Sequence, residues 1–350
     1  MNTSTQKSGQ QAREISSESD RQRNNPVATK TPRVLCSADE AGENAGAQQP
    51  VSEPADLLNR SIMLTAIIAP FVGLLAGIYY CWTVGWMGWP YLALLVVTWM
   101  VSGMGVTIGF HRLLTHNSFE TYRPIRAVLM MMGALSVEGS PLVWCAVHRR
   151  HHEMSDKLGD PHSPHLHGTG LWNSIKGFWY GHCGWLLTTF WSQPDLKRYV
   201  PDLMRDRLLV GVDRMYYLWV LLSLAIPTVI GWLVTFSWQG AFLGLLWGGL
   251  VRIFIGHHIT WSINSVCHIF GGTPFRSNDR STNNLICAVL GFGEGWHNNH
   301  HAFPTSARHG LWWWQLDMSW LTILALEKLG LAWNVKVPSP AAIQHKLIEK

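Results

Sequence analysis

The sequence has few charged residues and no closely spaced cysteines. Asp, Glu, Lys and Arg make up 14% of its 350 residues, against about 25% in an ordinary soluble domain. The six cysteines are scattered and include no Cys-x-x-Cys pair, which argues against a disulfide framework or a thiolate zinc site. Runs of basic residues are absent as well, so the net charge of +5 does not indicate a nucleic-acid partner. These absences favour a membrane protein.

Four long apolar runs predict helices that cross a membrane. Each is close to the ~20 residues that span ~30 Å of hydrocarbon as an α-helix. The runs are residues 61–80, 91–110, 216–236 and 241–263. Their short connectors contain no Lys or Arg, whereas the segment from His111 to Arg214 contains twelve. Because positive loops stay in the cytoplasm, we expect this segment and both termini to lie there.

The remaining segments predict a helical cap and two tails. Apolar stretches at residues 127–147, 170–190 and 311–329 are broken by polar residues, which is typical of interfacial or re-entrant helices. Residues 1–57 are polar and lack an apolar period, so we expect a disordered tail. Residues 336–350 form a C-terminal tail. The predicted fold is therefore an all-α, multi-pass membrane protein with four transmembrane helices and a cytosolic cap.

Nine histidines fall into four short clusters, and all four clusters lie on the predicted cytoplasmic side. Residues at i, i+3 and i+4 share one face of a helix, and neutral imidazole is a common metal ligand. His111 and His116 are five residues apart, a spacing that fits better where the second span frays into a loop. The complete set is His111, His116, His148, His151, His152, His268, His297, His300 and His301, with Asn264 one turn before His268. One metal rarely takes more than six ligands, so this set indicates two metals, or one metal and a surplus.

Other polar residues are candidates for supporting positions. A ligating histidine usually donates its second ring nitrogen to a carboxylate. The carboxylates near the clusters in sequence are Glu153, Asp156, Asp160 and Glu294. Outside the clusters, we expect His309 and His345 to be exposed. Arg252 lies at membrane depth, where a charge is costly, and either pairing inside the bundle or a substrate role would explain it.

The histidines are also compatible with a protein that is not an enzyme. Structural zinc sites are closed, four-coordinate and often contain cysteine, which the nine histidines and the scattered cysteines do not match. Haem held by two histidines would need facing pairs within the spans, whereas these clusters lie at span ends. Metal analysis separates these alternatives, because zinc from native expression would support the structural one.

Five strings in the sequence resemble the membrane-bound Δ9 fatty-acyl desaturases, with the match nearest to bacterial, cyanobacterial and plant members. They are GFHRLLTH (109–116), HRRHH (148–152), DPHSP (160–164), TWSINSVCH (260–268) and GEGWHNNHH (293–301). The resemblance covers roughly residues 59–331, and we set the desaturase domain at residues 58–335. It implies two iron ions held by the nine histidines, with Asn264 acting through a water.

The resemblance also implies a reaction and its partners. Such an enzyme removes two hydrogens from a saturated fatty-acyl chain, leaves a cis double bond and reduces O₂ to water. Electrons come from a small carrier such as ferredoxin or cytochrome b5 with its reductase, and we expect a separate protein because no haem-binding HPGG string occurs. A related hydroxylase or alkane monooxygenase remains an alternative, since the same oxidant can insert oxygen instead.

The acyl chain must be held at a fixed depth for the double bond to form at one position. Candidates for the wall of its tunnel are Leu95, Trp99, Trp144, Trp261 and Trp296, with Leu95 and Trp99 placed to close the tunnel and limit chain length. The acyl chain could be attached either to CoA or to a membrane lipid, and the sequence does not decide between them. Animal acyl-CoA members have cationic pairs where this sequence has Ala146 and Val147, and Thr188 and Thr189, and a polyanionic CoA headgroup would need such cations.

Overall fold

The computed structural model describes residues 53–348, and the fold is almost entirely helical. The predicted disordered tail at residues 1–57 lies outside the described residues except for its last five. The α-helices are α1 (Leu57–Thr83), α2 (Trp89–Met104), α3 (Arg123–Ala134), α4 (Pro141–Met154), α5 (Leu171–His182), α6 (Thr189–Ser192), α7 (Leu196–Tyr199), α8 (Arg207–Arg214), α9 (Tyr216–Thr235), α10 (Trp238–Leu243), α11 (Arg252–Ser265), α12 (Leu285–Leu290), α13 (His297–Ala302), α14 (Met318–Lys328) and α15 (Pro340–Lys346). π-Helical segments occupy Gly105–Thr115 and Gly244–Val251, 3₁₀ turns occupy Gly184–Leu187, Leu203–Arg205 and Val266–His268, and two short strands are β1 (Glu120–Thr121) and β2 (Ala332–Trp333).

Four helices are long and apolar enough to cross a membrane, and they lie at the four predicted places. They are Leu57–Thr83, Trp89–Thr115, Tyr216–Thr235 and Trp238–His268. All but the third are longer than predicted. The second continues through the π-helical segment Gly105–Thr115, and the fourth continues through α11 into the 3₁₀ turn Val266–His268. Both of these long helices carry predicted metal ligands at their C-terminal ends.

Small residues let the spans approach closely. A Cβ added at Gly244 would overlap the carbonyl oxygen of Pro227, so α9 and the helix after α10 touch backbone to backbone. A Cβ at Gly105 would overlap the backbone nitrogen of Gly133 on α3. Close approach through small residues is the usual way in which helices associate without a hydrophobic driving force between them.

The fold is mostly helical, as predicted, and it contains one short pair of strands that the sequence pattern does not predict. β1 and β2 pair in antiparallel register, with Glu120 opposite Trp333 and Thr121 opposite Ala332. Side chains support the pair, because the Thr121 hydroxyl donates to the Leu331 carbonyl at 2.7 Å and the Trp333 indole donates to Glu120 at 3.1 Å. Two residues per strand are too few to leave a periodic signal in the sequence.

The segments predicted to be interfacial form shorter helices around the ends of the spans. Residues 127–147 divide between α3 and α4 at a turn where Val137 and Gly139 have positive φ. α4 then begins at Pro141, where proline suits the first helical turn. Residues 170–190 form α5 and a 3₁₀ turn, and only the second part of 311–329 is helical, as α14. Phe110, Met130, Cys145 and Leu209 are buried together where the π-helical segment after α2 meets α3, α4 and α8.

The C-terminal segment packs on the rest of the chain. Residues 340–346 form α15, and the Lys346 ammonium donates to the Ala302 carbonyl at 2.6 Å. The backbone of Arg276 donates to the Lys346 carbonyl at 2.9 Å. The segment predicted to be a tail therefore holds the loop before α12 against α13.

Candidate metal centre

The structure brings all nine clustered histidines together in two neighbouring groups. In each group, one potential ligand atom per residue lies within 4.8 Å of the others. One group contains His111, His116, His148, His152 and His300; the other contains His151, His268, His297 and His301. α4 and α13 each contribute histidines to both groups. The two groups are thus joined through the same two helices.

The ring nitrogens converge as ligands of a common ion would. His300 Nε2 lies 3.1 Å from His111 Nε2 and 2.9 Å from His152 Nε2. His268 Nε2 lies 3.2 Å from His297 Nε2 in the other group. Two nitrogens bound at about 2.1 Å and at right angles would be separated by about 3 Å. The residues therefore fit two metal ions, one in each group.

The π-helix accounts for the five-residue spacing of His111 and His116. The predicted fraying of the second span into a loop does not occur here, because the helix continues to Thr115 and the His116 amide donates to the His111 carbonyl at 3.2 Å. In a π-helix the hydrogen bonds join residues i and i+5, so these two residues are about one turn apart and share a face. The ring centroids of His111 and His116 are 4.9 Å apart.

Carboxylates hold four of the nine rings at Nδ1, which leaves Nε2 directed into the groups. Asp160 lies 3.0 Å from His151 Nδ1, Asp156 lies 2.9 Å from His268 Nδ1, and Glu294 lies 2.6 Å from His111 Nδ1. Each of these three carboxylates is a candidate from the sequence. Glu153, the other candidate, points outward and pairs with Arg198 at 2.7 Å.

Sequence reasoning missed the fourth carboxylate and two other buried residues. Asp279 lies 2.6 Å from His301 Nδ1, although 22 residues separate them in the chain. His309, expected to be exposed, is buried with its ring centroid 4.5 Å from that of His300. Arg112 is fully buried and donates to Glu294 at 2.8 Å and to Asp317 at 3.0 Å. No local spacing marks these contacts, because they join residues that are not neighbours on one helix. His345 is exposed, as expected.

Burial keeps most of the ligand candidates in the neutral form. Desolvation, together with the neighbouring imidazoles, holds the pKa of His148, His152 and His300 well below the usual histidine value. Burial also lowers the pKa of His301 to about 4, although Asp279 opposes the shift. Burial alone would raise the pKa of Asp160, but His151 outweighs it and lowers that pKa to about 2. Neutral imidazoles beside ionised carboxylates are the protonation states that metal binding requires.

Two cavities meet beside the histidines. A wide cavity of about 730 Å³ opens between α1, α4, α9 and α11, and a narrow one of about 60 Å³ runs from the histidines along α2 and α11. Both cavities are lined by Glu138, Trp144, His148, Thr260 and Asn264. A flexible chain could thus pass from the wide cavity, beside the two groups of histidines, into the narrow cavity.

Three of the five residues predicted to form the tunnel wall line a cavity, and two do not. Trp144 lines both cavities, Trp99 lines the narrow one and Trp261 lines the wide one. Leu95 instead packs in a cluster with Trp247. Trp296 is buried and donates its indole N–H to the Leu316 carbonyl at 2.8 Å. Within the described residues, neither Leu95 nor Trp296 lines these two cavities.

The far end of the narrow cavity is aromatic. The rings of Trp99 and Phe292 are 4.9 Å apart, and a Cβ added at Gly103 would overlap the Phe292 ring. Trp99, Gly103 and Phe292 all line the narrow cavity, and none of them lines the wide one. Phe292 is not a candidate from the sequence, since it precedes the last histidine cluster rather than belonging to the second span.

Two polar residues in the cavity walls have different surroundings. Arg252 donates to the carbonyls of Leu135 at 2.8 Å and Ser223 at 3.1 Å, so it pairs inside the bundle. Glu138 accepts from the Thr260 hydroxyl at 2.9 Å, and its other oxygen has no hydrogen-bond partner in the described part of the chain. Burial raises the pKa of Glu138 to about 7. An ionisable group therefore borders an otherwise largely apolar channel.

Replacing Asp279 by Asn should weaken metal binding while preserving the fold. The amide has the shape of the carboxylate but lacks the charge that holds His301, and loss of such a partner costs about 10–100-fold in metal affinity. Iron retained after competition with a chelator measures the effect.

The control is Asp195→Asn, the same change at an exposed position. Asp195 caps α7 by accepting from the Arg198 amide at 3.1 Å, and Asn caps a helix about as well as Asp does. Iron retention in this variant should equal that of the wild type. Equal retention in the Asp279→Asn and Asp195→Asn variants would contradict the role given to Asp279.

The fold and the site together define a multi-helix protein with membrane-length helices and a paired histidine site suited to two metal ions. Residues 84–334 match the family model described as fatty acid desaturase. The chain is 45% identical over 257 residues to a hex-5-enoyl-[acyl-carrier protein] acetylenase from Moorena producens (strain JHB), covering 73% of this chain and 79% of that protein. It is 38% identical over 268 residues to an sn-1 stearoyl-lipid 9-desaturase from Anabaena variabilis, covering 76% of this chain and 92% of that protein. It is also 37% identical over 257 residues to delta-9 acyl-lipid desaturase 1 from Arabidopsis thaliana, covering 72% and 77% of the two chains.

The chain belongs to the fatty acid desaturase family, and it is accordingly an oxidoreductase. The predicted resemblance is thereby confirmed at the level of the family.

Proposed function

We propose that the protein is an oxygen-dependent di-iron desaturase that introduces a cis double bond into a saturated fatty-acyl chain at the Δ9 position. The observation that carries the proposal is the pair of histidine groups beside a wide cavity and a narrow cavity that share lining residues next to the histidines. The stearoyl-lipid 9-desaturases among its relatives support the position of the bond.

Each group would hold one iron ion. The group of five histidines would hold the first, and the group of four, with Asn264 acting through a water, would hold the second. Asn264 lines the narrow cavity together with His297 of that group, which suits such a role. Bound iron would supply the oxidant needed to take hydrogen from an unactivated methylene. Overall, the chain loses two hydrogens, O₂ takes these with two protons and two electrons, and two waters form.

The protein's own residues position the chain and exclude water. Trp144 stacks on His148 with ring centroids 5.0 Å apart and lines both cavities, so it borders the acyl chain where the chain passes the histidines. Trp99 and Phe292 stop the methyl end at a set depth. Regioselectivity would follow from this stop, because it determines which methylene lies opposite the groups.

The proposed orientation places the cap and both termini in the cytoplasm. The twelve Lys and Arg residues between His111 and Arg214 support it. The electron donor would be a separate protein, a ferredoxin or cytochrome b5 with its reductase. The acyl chain would be attached either to CoA or to a membrane lipid, and both remain candidate substrates. Ala146 and Val147, which replace the cationic pair of the animal acyl-CoA members, are buried and offer no contact to a headgroup.

Expression in a host that lacks Δ9 unsaturation tests the proposal. Fatty-acid profiling should show new cis-Δ9 products, and the purified protein should contain about two irons per chain. An alcohol product instead of an alkene would support the hydroxylase alternative, and zinc from native expression would support a structural role. A double bond at another position would support the desaturase activity but refute the Δ9 position.

Replacing Trp99 by Ala should lengthen the accepted acyl chains. Removing the indole opens the closed end of the narrow cavity, so longer chains can bind with the same methylene at the histidines. When a mixture of acyl chains is supplied, the desaturated products should be longer by about two carbons or more, because the lost indole has the volume of several methylene groups. The control is Trp313→Ala, because Trp313 is 93% exposed. An unchanged profile for Trp99→Ala would show that Trp99 does not limit chain length.

A further inference from the structure

Two surface loops cover the group of four histidines. The first is residues 155–159, which follows α4, and the second is residues 277–281, which precedes α12. They are joined directly, because the backbone N–H of Arg280 donates to Asp156 Oδ2 at 2.8 Å. The Arg280 guanidinium also contacts His165 at 3.2 Å. The two loops therefore form one continuous face.

Each loop also reaches a predicted metal ligand through one hydrogen bond. Asp156 in the first loop lies 2.9 Å from His268 Nδ1, and Asp279 in the second lies 2.6 Å from His301 Nδ1. Asp156 has a positive φ of 58°, an uncommon conformation for a residue other than glycine. That conformation accompanies a turn in which the carboxylate points inward while the next two side chains are exposed.

The outer side of these loops is apolar at one point and positive around it. Leu158 is 76% exposed, and Lys157 and Arg280 are exposed cations of the same two loops. Neither cation forms an ion pair with a carboxylate in the part of the chain that the structure describes. The acidic residues of the loops, Asp156 and Asp279, are instead engaged with the histidines. An apolar point inside a charged rim is the usual composition of a specific protein interface.

We propose that this face, called here the Lys157–Arg280 face, is the docking site for an acidic protein that carries one electron. The inference rests on the proposed function, because forming the double bond requires two electrons from outside the chain. Each docked carrier would be oxidised by one electron and the metal centre reduced by one, so two dockings would serve one double bond. The loops would provide the route, since Asp156 and Asp279 join the surface to His268 and His301.

The observations favour such a carrier over an anionic lipid headgroup. A headgroup would need only the cations, whereas the face combines them with an exposed leucine and with direct hydrogen bonds to two predicted ligands. Complexes of electron carriers are small and transient, generally below about 1,200 Å² of buried surface. A few rim charges are sufficient to steer such encounters.

Binding of oxidised [2Fe–2S] ferredoxin, an acidic carrier, tests the proposal on the full-length iron-loaded protein in nanodiscs. The variant is Lys157→Glu/Arg280→Glu, and its control is Arg205→Glu/Arg207→Glu, which introduces the same charge change at exposed cations near α8. We expect the Kd for ferredoxin to rise about tenfold in the first variant with a weaker salt dependence, and less than about twofold in the control. Iron content should equal that of the wild type in both.

Zero-length carbodiimide cross-linking provides a second measurement that needs no variant. Peptide mass spectrometry should find ferredoxin carboxylates joined to Lys157, and high salt should suppress the product. Cross-links only to other lysines, or an equal rise in Kd for the two double variants, would overturn the proposal. So would a variant that loses affinity for anionic vesicles but not for ferredoxin, since the face would then bind lipid.

Single turnover separates this proposal from the proposed function: the iron-loaded protein is reduced with dithionite and methyl viologen in the absence of O₂, freed of excess reductant and then mixed with O₂. If the wild-type protein desaturates with the chemical reductant, the function stands and the ferredoxin measurements decide the docking site. If it holds iron but forms no alkene with either reductant, the proposed function fails. In the Lys157→Glu/Arg280→Glu variant, turnover with the viologen should stay within about twofold of the wild type, whereas turnover with ferredoxin should fall about tenfold.

Discussion

Replacing His300 by Ala should remove about one iron per chain and reduce double-bond formation by on the order of 10³-fold. His300 is completely buried, and its Nε2 lies within about 3 Å of ring nitrogens from two other helices. Its neighbour Asn299 cannot take its place, because that side chain is engaged with the His309 carbonyl and Gln315. A metal supplies several kcal/mol of transition-state stabilisation, and each 1.36 kcal/mol is tenfold in rate.

Metal analysis and fatty-acid profiling of the same preparation measure both effects. The matched control is His345→Ala, which removes an exposed imidazole on α15. Iron content and product should then equal those of the wild type. Full iron content and activity in the His300→Ala protein would rule out His300 as a ligand and would weaken the assignment of the whole group of five.

Replacing Arg112 by Met should destabilise the folded protein by about 3–5 kcal/mol, because the change leaves two buried carboxylates without their cation. Arg112 is fully buried between Glu294 and Asp317. Asp317 also caps α14 by accepting from the Trp320 amide at 2.9 Å, and Glu294 holds His111. The loss should therefore reach both α14 and the group of five histidines.

Thermal unfolding in detergent measures the stability, and the control is Arg126→Met. Arg126 forms an ion pair with Asp206 at 3.1 Å, but its side chain is 31% exposed. Such a surface pair contributes at most about 1 kcal/mol. Similar losses of stability in the two variants would show that burial of the Arg112 ion pairs adds nothing to the stability of the fold.

The spans could be predicted from composition because membrane insertion depends on local apolar length. Each span has to supply its own backbone hydrogen bonds and about 20 apolar residues, and both properties are written in consecutive residues. The boundaries are harder to predict at the polar ends. There the second helix continues through a π-helical segment to Thr115 and the fourth ends in a 3₁₀ turn at His268, since tertiary contacts rather than hydropathy support those turns.

The contacts that hold the histidines also differ in whether the sequence could predict them. Asp160 lies nine residues from His151, so its spacing alone suggests it as a partner, whereas Asp156 lies near His151 in sequence but holds His268, 112 residues away. Asp279 and Arg112 act across gaps of 22 and 205 residues, to His301 and Asp317 respectively, and no spacing rule covers such pairs. Counting helical turns places Leu95 on the tunnel, but neighbouring helices decide which face of α2 meets the cavity.

By itself, the sequence determined the residue types available for chemistry and the ends of the spans at which they occur. The pattern of nine imidazoles at helical spacings depends on local geometry, which a linear chain encodes directly. Only the tertiary structure decided how the rings are divided between two groups, with α4 and α13 contributing to both. It also decided which carboxylates hold them and which aromatic residues line the narrow cavity. These outcomes depend on helix rotation and packing, which result from contacts between residues far apart in the chain.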